Sequence, residues 1–204
     1  MNKHTLPQNT NTTRPTTHQP EPTQNPQKMG TRHLICLYHN GRIVVAQYGG
    51  HDGHPSHTGR QIMSLLSSAH FIQRLRANLH LIRYRPSRTY GDYADDDIGI
   101  CILENIAYAR GSEPVPHSFG LEFADDGAFC EWTYVVDLDA EVLEVYAGAS
   151  ISGLRVEGRG RLAEVGVRRQ VLRVAIPFID LPGEKEELVR ACTKGLEVEG
   201  EEGW

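Results

Sequence analysis

Three patterns in this chain predict an α+β fold. Two apolar, strand-like runs, His33 to Tyr38 and Arg42 to Tyr48, flank Asn40-Gly41; helical spacing then governs residues 59 to 110; and a period of two returns from Phe119. Strands, then helices, then strands describe an antiparallel sheet with a central hairpin covered by helices.

The hairpin carries the strongest signal. Asn-Gly supplies the positive φ angles that a two-residue turn between twisted strands requires. Both runs are almost continuously apolar rather than alternating, the pattern of strands buried on both faces. After the hairpin comes Gly49 to Gly59, GGHDGHPSHTG, with three histidines and an aspartate between a strand and a helix start. Loops at such junctions are where binding groups gather, and His51, Asp52, His54 and His57, with Arg60 beyond them, are the candidate binding residues.

Helix signals follow the loop. Thr58 is placed to cap a helix carrying Ile62, Leu65, Leu66 and Ala69, and Ile72, Leu75, Leu79 and Ile82 extend the stripe beyond a break at Ser67-Ser68. Asp95 to Asp97 suit the N-terminus of another helix, with Ile98, Cys101, Ile102, Asn105, Ile106 and Ala109 along it and Gly111 at its end. From Phe119 the chain reads as strands: Leu121 and Phe123, a turn at Asp126-Gly127, Cys130 to Val136, a reversal at Asp137 to Ala140, and Val142 to Tyr146. Residues Gly153 to Ile179 read as further strands, broken by Gly158, Gly160 and Gly166 and stopped by Pro177 and Pro182. Glu184 to Lys194 is a short helix leading into an acidic tail.

Composition divides the chain into three parts. Residues 1–28 hold seven Thr, five Pro, four Asn and four Gln, with only Met1 and Leu6 apolar, and read as a disordered arm. Residues 29–183 form a single α+β domain, and 184–204 the helix and tail. The arm lacks the apolar run of a signal peptide, and no stretch of the chain is long and apolar enough to span a membrane. A soluble cytoplasmic or nuclear protein is expected. Cys36, Cys101, Cys130 and Cys192 form no C-x-x-C pair, which excludes a zinc ribbon and a dithiol redox motif and leaves free thiols.

The net charge of −5 hides an asymmetry: from Gly53 to Gly91 there are six Arg and no Asp or Glu, and Asp92, Asp95, Asp96 and Asp97 follow at once. The Arg-rich segment 60–88 suits a protein partner, an anionic ligand or nucleic acid, and it equally suits internal pairing with the acidic cluster.

Several stretches carry a resemblance: Gly30-Thr31-Arg32-His33-Leu34, Ala46-Gln47-Tyr48-Gly49, Asp52-Gly53-x-Pro55-Ser56, and Cys130-Glu131-Trp132-x-Tyr134-Val135-Val136-Asp137-Leu138. Over roughly residues 29 to 148 the chain resembles an uncharacterised family of small proteins of filamentous fungi, with more distant phage and bacterial relatives. That family implies no particular chemistry. Its members mostly carry aromatic residues where His51 and His54 stand and Gly where His57 stands. The array His51-x-x-His54-x-x-His57 beside Asp52 has the ligand types of a zinc site, but aromatic residues at matching positions cannot ligate. A structured turn, with exposed histidines and Asp52 capping backbone N–H groups, is the expectation, without metal or cofactor.

Gly30, Thr31, Leu34, Gly41 and Ile43-Val44-Val45-Ala46 also resemble the opening of the proteasome-type N-terminal-nucleophile hydrolases. The resemblance implies layered sheets and helices and, after self-cleavage, Thr31 as the nucleophile activated by its own α-amine. Gln47 stands where that family carries an acid, and Met63 where it carries a lysine. Cys36 in its apolar run, and Cys130 beside Trp132, read as core rather than as reactive thiols. Glu131, Asp137 and Asp139 are a possible carboxylate cluster, with Asp137 and Asp139 better suited to holding their turn. The leading functional expectation is a non-enzymatic interaction module acting through loop 49–59 and the neighbouring arginines. The alternatives are a hydrolase using Thr31 and a zinc-binding loop.

Overall fold

The hairpin forms as its sequence requires. β1 (His33–His39) and β2 (Arg42–Gly49) pair antiparallel, and Asn40 and Gly41 take φ of 50° and 74° between them. Opposite Leu37 and Tyr38 stand Val45 and Ile43, so Val44 is the extra residue of a β-bulge. A computed structural model describes residues 30–84, 99–117, 120–126, 128–152 and 159–194. The N-terminal arm, Arg85, Arg88, Asp92 to Asp97, Phe119, Gly127, Gly158 and the acidic tail lie outside the described residues.

The helical stretch is divided where Ser67-Ser68 predicts. A π-helical turn at Pro55–Gly59 runs directly into α1 (Arg60–Leu66), and α2 (Ala69–Asn78) starts with Ser68 as its cap, the hydroxyl accepting from Phe71 N. Thr58 is not the cap of α1. It is buried inside the π turn, and its hydroxyl donates to the Asp52 carbonyl at 2.7 Å. The apolar stripe of α2 also stops earlier than its spacing suggests: Leu79 to Leu81 form a 3₁₀ turn and Ile82 opens β3 (Ile82–Tyr84). The next helix, α3 (Cys101–Ala107), buries Ile102, Leu103, Ile106 and Ala107 and leaves Cys101 exposed. It ends before Gly111, and β4 (Val115–His117) then pairs parallel with β3.

Leu121 to Asp125 form a 3₁₀ turn rather than the expected strand. β5 (Trp132–Asp137) and β6 (Val142–Gly148) follow as read, and α4 (Ala149–Ser152) comes next. Where further strands were expected, Arg161–Glu164 is a short helix, α5, and among the described residues only β7 (Gln170–Pro177) is a strand. Its last residue is the proline that stops it. α6 (Lys185–Thr193) is the terminal helix.

The main sheet runs β2-β1-β5-β6-β7. It is mixed rather than antiparallel, because β1 and β5 lie parallel with His33 opposite Trp132 and Tyr38 opposite Asp137. Parallel neighbours need a long crossover, and the helical middle of the chain is that crossover. The hairpin therefore lies at one side of the sheet, with β1 an interior strand, β2 an edge strand and β5 in the middle.

Both faces of the sheet are covered, as the continuous apolar runs require. On one face Ile35, Leu37, Trp132, Tyr134, Val136 and Val145 pack with Ile62, Leu66, Leu75, Leu103 and Ile106 from the helices. On the other, Leu34, Cys36, Val135 and Tyr146 pack with Phe123, Ala124, Leu162 and Val167. Each large side chain buried this way contributes about 1.5–3 kcal/mol. α6 belongs to this core rather than to the tail, since Leu188 and Cys192 are fully buried within the first cluster. No helix among the described residues is long and apolar enough to cross a membrane.

Candidate functional site

The loop from Gly49 to Gly59 is built into the sheet's edge rather than draped over it. Gly53 N donates to the Thr31 carbonyl at 2.9 Å, Tyr134 Oη of β5 donates to the Gly53 carbonyl at 2.7 Å, and Thr58 N and Oγ1 both donate to the Asp52 carbonyl. Asp52 takes φ of 54°, which turns the chain back toward α1. The carbonyl of Asp52, not its carboxylate, thus satisfies the backbone turn.

At the base of this loop lies His33. Its side chain is buried at the start of β1, with the ring edge-on to Tyr134. Two glycines make the room. A Cβ at Gly49 would collide with the imidazole, and one at Gly53 would sit 2.7 Å from His33 Nδ1 and from the Thr31 carbonyl. The spacing of glycines in the loop is therefore set by a histidine sixteen residues earlier.

A cavity of about 290 Å³ opens over that imidazole, lined by His33, His51, Asp52, His57, Thr58 and Gln61, with Gly99 and Ile100 behind. His57 Nε2 lies 3.3 Å from Gln61 Nε2 and 3.8 Å from Asp52 Oδ2. The amide can only donate, so this contact is a hydrogen bond when His57 Nε2 carries no proton. The lining offers hydrogen-bond donors and acceptors from four segments of chain at one place.

His51, Asp52 and His57 are thus brought together as the sequence suggests, whereas His54 and Arg60 are directed elsewhere. His54 Nδ1 accepts from Ser56 N at 3.2 Å and faces Ser56 Oγ at 2.7 Å, while its ring packs edge-on against Trp132 at 5.6 Å. It is not one of the exposed histidines expected of the loop, and burial pushes its pKa down. Arg60 bridges to Glu186 of α6 at 2.6 Å. Among the described residues no group of three or more His, Cys, Asp or Glu is placed to hold a metal. His33, Gln61 and Thr58 were missed as site residues. The usable signal for His33 was the pair of glycines that its ring requires.

The other candidates are separated. Glu131 lies against Arg32, Asp137 accepts from Asp139 N, Ala140 N and Arg161 Nε, and Asp139 faces His39 and the hairpin turn, so the three carboxylates form no cluster. Cys36 and Cys130 are buried, and burial raises both thiols, that of Cys130 to about 12. Of the arginine series, Arg74 donates to Ala107 O and stacks on Tyr108, Arg76 donates to Leu138 O and Glu141, and Arg83 donates to His80 O and Ile82 O. Among the described residues, carbonyls and glutamates hold them; Asp92 to Asp97 lie outside the described residues.

Gln47 and Met63, which stand where the N-terminal-nucleophile resemblance implies an acid and a lysine, are both buried, Met63 within the apolar core. Comparison of the chain with protein-family models, with curated proteins and with solved structures finds no match.

Proposed function

We propose that this chain is a binding module for a small polar ligand, received in the cavity over His33. The observation that carries the reading is the convergence of His51, Asp52, His57, Thr58 and Gln61 on one opening above a buried imidazole whose space is kept by glycines. Cavities of this kind, with a few converging polar groups, are where small ligands bind. The mixed lining favours a ligand carrying both donors and acceptors over a polyanion. Of the arginines that would have favoured a polyanion, Arg60, Arg74, Arg76 and Arg83 are engaged within the fold. Free Cys36, Cys101, Cys130 and Cys192 support a reducing cytoplasmic or nuclear setting.

The test is histidine-selective ¹⁵N NMR during titration with acetate, acetamide and glycerol as probes. The expected result is that at least one of them moves the ring signals of His33, His51 and His57 together and leaves His70 and His80 in place. If all three probes left the pocket rings unmoved at high millimolar concentration, the binding reading would be overturned.

A second reading, an N-terminal-nucleophile hydrolase using Thr31, draws support from the position of that residue: its carbonyl is tied to Gly53 beside the cavity. That mechanism requires release of residues 1–30 so that the Thr31 amine is free. Intact mass decides it, since a species that stays near 22.8 kDa over days of storage is incompatible with the mechanism.

A further inference from the structure

We infer that a second site lies at the opposite end of the β1–β2 hairpin and binds a small amphipathic anion, an apolar chain or ring carrying one carboxylate. The eight residues of β2 separate it from the histidine cavity by roughly 20 Å at about 3.3 Å per residue. A groove of about 740 Å³ runs here between the turn end of the hairpin, the end of α2 and β3. That volume suits a drug-sized molecule.

The floor and the rim of the groove differ in chemistry. Val44, Leu79 and Ile82 are half-buried in its floor, and Tyr84 at its end is 61% exposed. This is apolar surface left to water, and covering it is favourable in proportion to its area. Arg42, Arg76, His39 and His80 stand around it, and no Asp or Glu among the described residues lines it. Two neighbouring acids among the described residues are committed: Asp139 accepts from Asn40 N and Gly41 N and bonds His39 Nδ1, and Glu141 accepts from Arg76.

The cations differ in what they have left to offer. Arg76 is spent on the Leu138 carbonyl at 2.5 Å and on Glu141 at 2.8 Å, and His80 Nδ1 lies 2.7 Å from Ala77 O. Arg42 is exposed at the first position of β2, and its guanidinium makes no hydrogen bond or ion pair among the described residues. A guanidinium with its planar fork open binds a carboxylate through two parallel N–H···O bonds. One such cation beside one apolar floor matches an anion with one charged head and one apolar body.

The experiment uses the full chain and decanoate below its micelle concentration, followed by the methyl signals of Val44, Leu79 and Ile82. Saturable shifts confined to these residues are expected, with 1-decanol weaker and decyltrimethylammonium weaker still. Arg42→Glu should lower the decanoate affinity about tenfold or more, since it replaces a charge-assisted pair with a repulsion, and should leave 1-decanol binding unchanged. Arg42→Gln, which removes charge with little change in shape, should fall between them. An unmoved Trp132 indole signal confirms that both variants keep the core. Absence of shifts at the three methyl groups, equal affinity for decanoate and decanol, or decanoate binding unaffected by Arg42→Glu would each overturn the proposal.

Discussion

Replacing Arg161 tests whether the second face of the sheet is held by packing or by charge. Asp137 is 1% exposed at the end of β5, and Arg161 Nε donates to its Oδ2 at 2.6 Å from the first residue of α5. Its other oxygen accepts from Asp139 N and Ala140 N at 2.9 and 2.8 Å. Arg161→Met would leave the carboxylate buried with one oxygen satisfied and the other bare. Breaking a buried pair from one side costs about 3–5 kcal/mol. The two surviving backbone bonds and the part-exposed guanidinium reduce that to about 2–3 kcal/mol here.

The same change removes Arg161 from above the Tyr38 ring, 4.5 Å from its centroid, and Met restores part of that contact. Urea unfolding of wild type, Arg161→Met, Asp137→Asn and the double variant closes the cycle. The double variant should be less destabilised than the sum of the two by about 1–2 kcal/mol, because neither partner is then left alone. A coupling below about 0.5 kcal/mol would mean that the pair is incidental, and that Leu162 and Val167 alone dock α5.

Three further outcomes follow from the geometry. Asp139→Asn should cost about 1–2 kcal/mol at neutral pH, since the carboxylate accepts both N–H groups of the Asn40-Gly41 turn; these bonds, Gly41 first, hold its pKa below the usual value, so the contribution is present above the unfolded pKa and lost as pH falls through the folded one. Urea midpoints of the two proteins that fail to converge in acid would count against it. His54 has its pKa lowered by burial against Trp132, so the unfolded chain takes up the proton more readily: stability is full above the unfolded pKa and declines as pH falls below it toward the folded one. Thermal melts of wild type and His54→Gln should therefore approach each other on acidification, and a constant gap contradicts this. Gly53→Ala sets a methyl against His33 Nδ1 and the Thr31 carbonyl, with an expected loss of about 1–3 kcal/mol and a displaced His33 ring signal; an unmoved signal would show that the glycine is not what makes its space.

What could be read from the sequence was whatever local chemistry decides. Asn40-Gly41 fixed a turn because few other dipeptides accept both angles. The nearly unbroken apolar runs of β1 and β2 foretold a sheet covered on both faces. Leu121 to Asp125 misled because Leu121 and Phe123 alternate like a strand, yet the segment closes its own turn bonds, Phe123 N donating to Gly120 O and Asp126 N to Phe123 O. Mixed pairing was invisible because which strand lies beside β1 is settled by contacts across about a hundred residues. In the site, His51, Asp52 and His57 were legible as a cluster of polar types in a loop. The rotation of His54 onto Trp132 was not, because it depends on a tryptophan nearly eighty residues away.

The pairing of β1 with β5 places a waiting time in the life of the chain. Hairpin residues such as Asn40 meet Asp139, and Arg32 meets Glu131, only after 99 further residues have been made. At roughly 5–20 residues per second, a nascent hairpin with two apolar faces stands without its central neighbour for roughly 5–20 seconds. During that interval Ile35, Leu37 and Val45 have their own hairpin and the emerging helices α1, α2 and α3 to shelter them. The crossover helices are thus the hairpin's first cover during synthesis, before they serve as one layer of the finished protein.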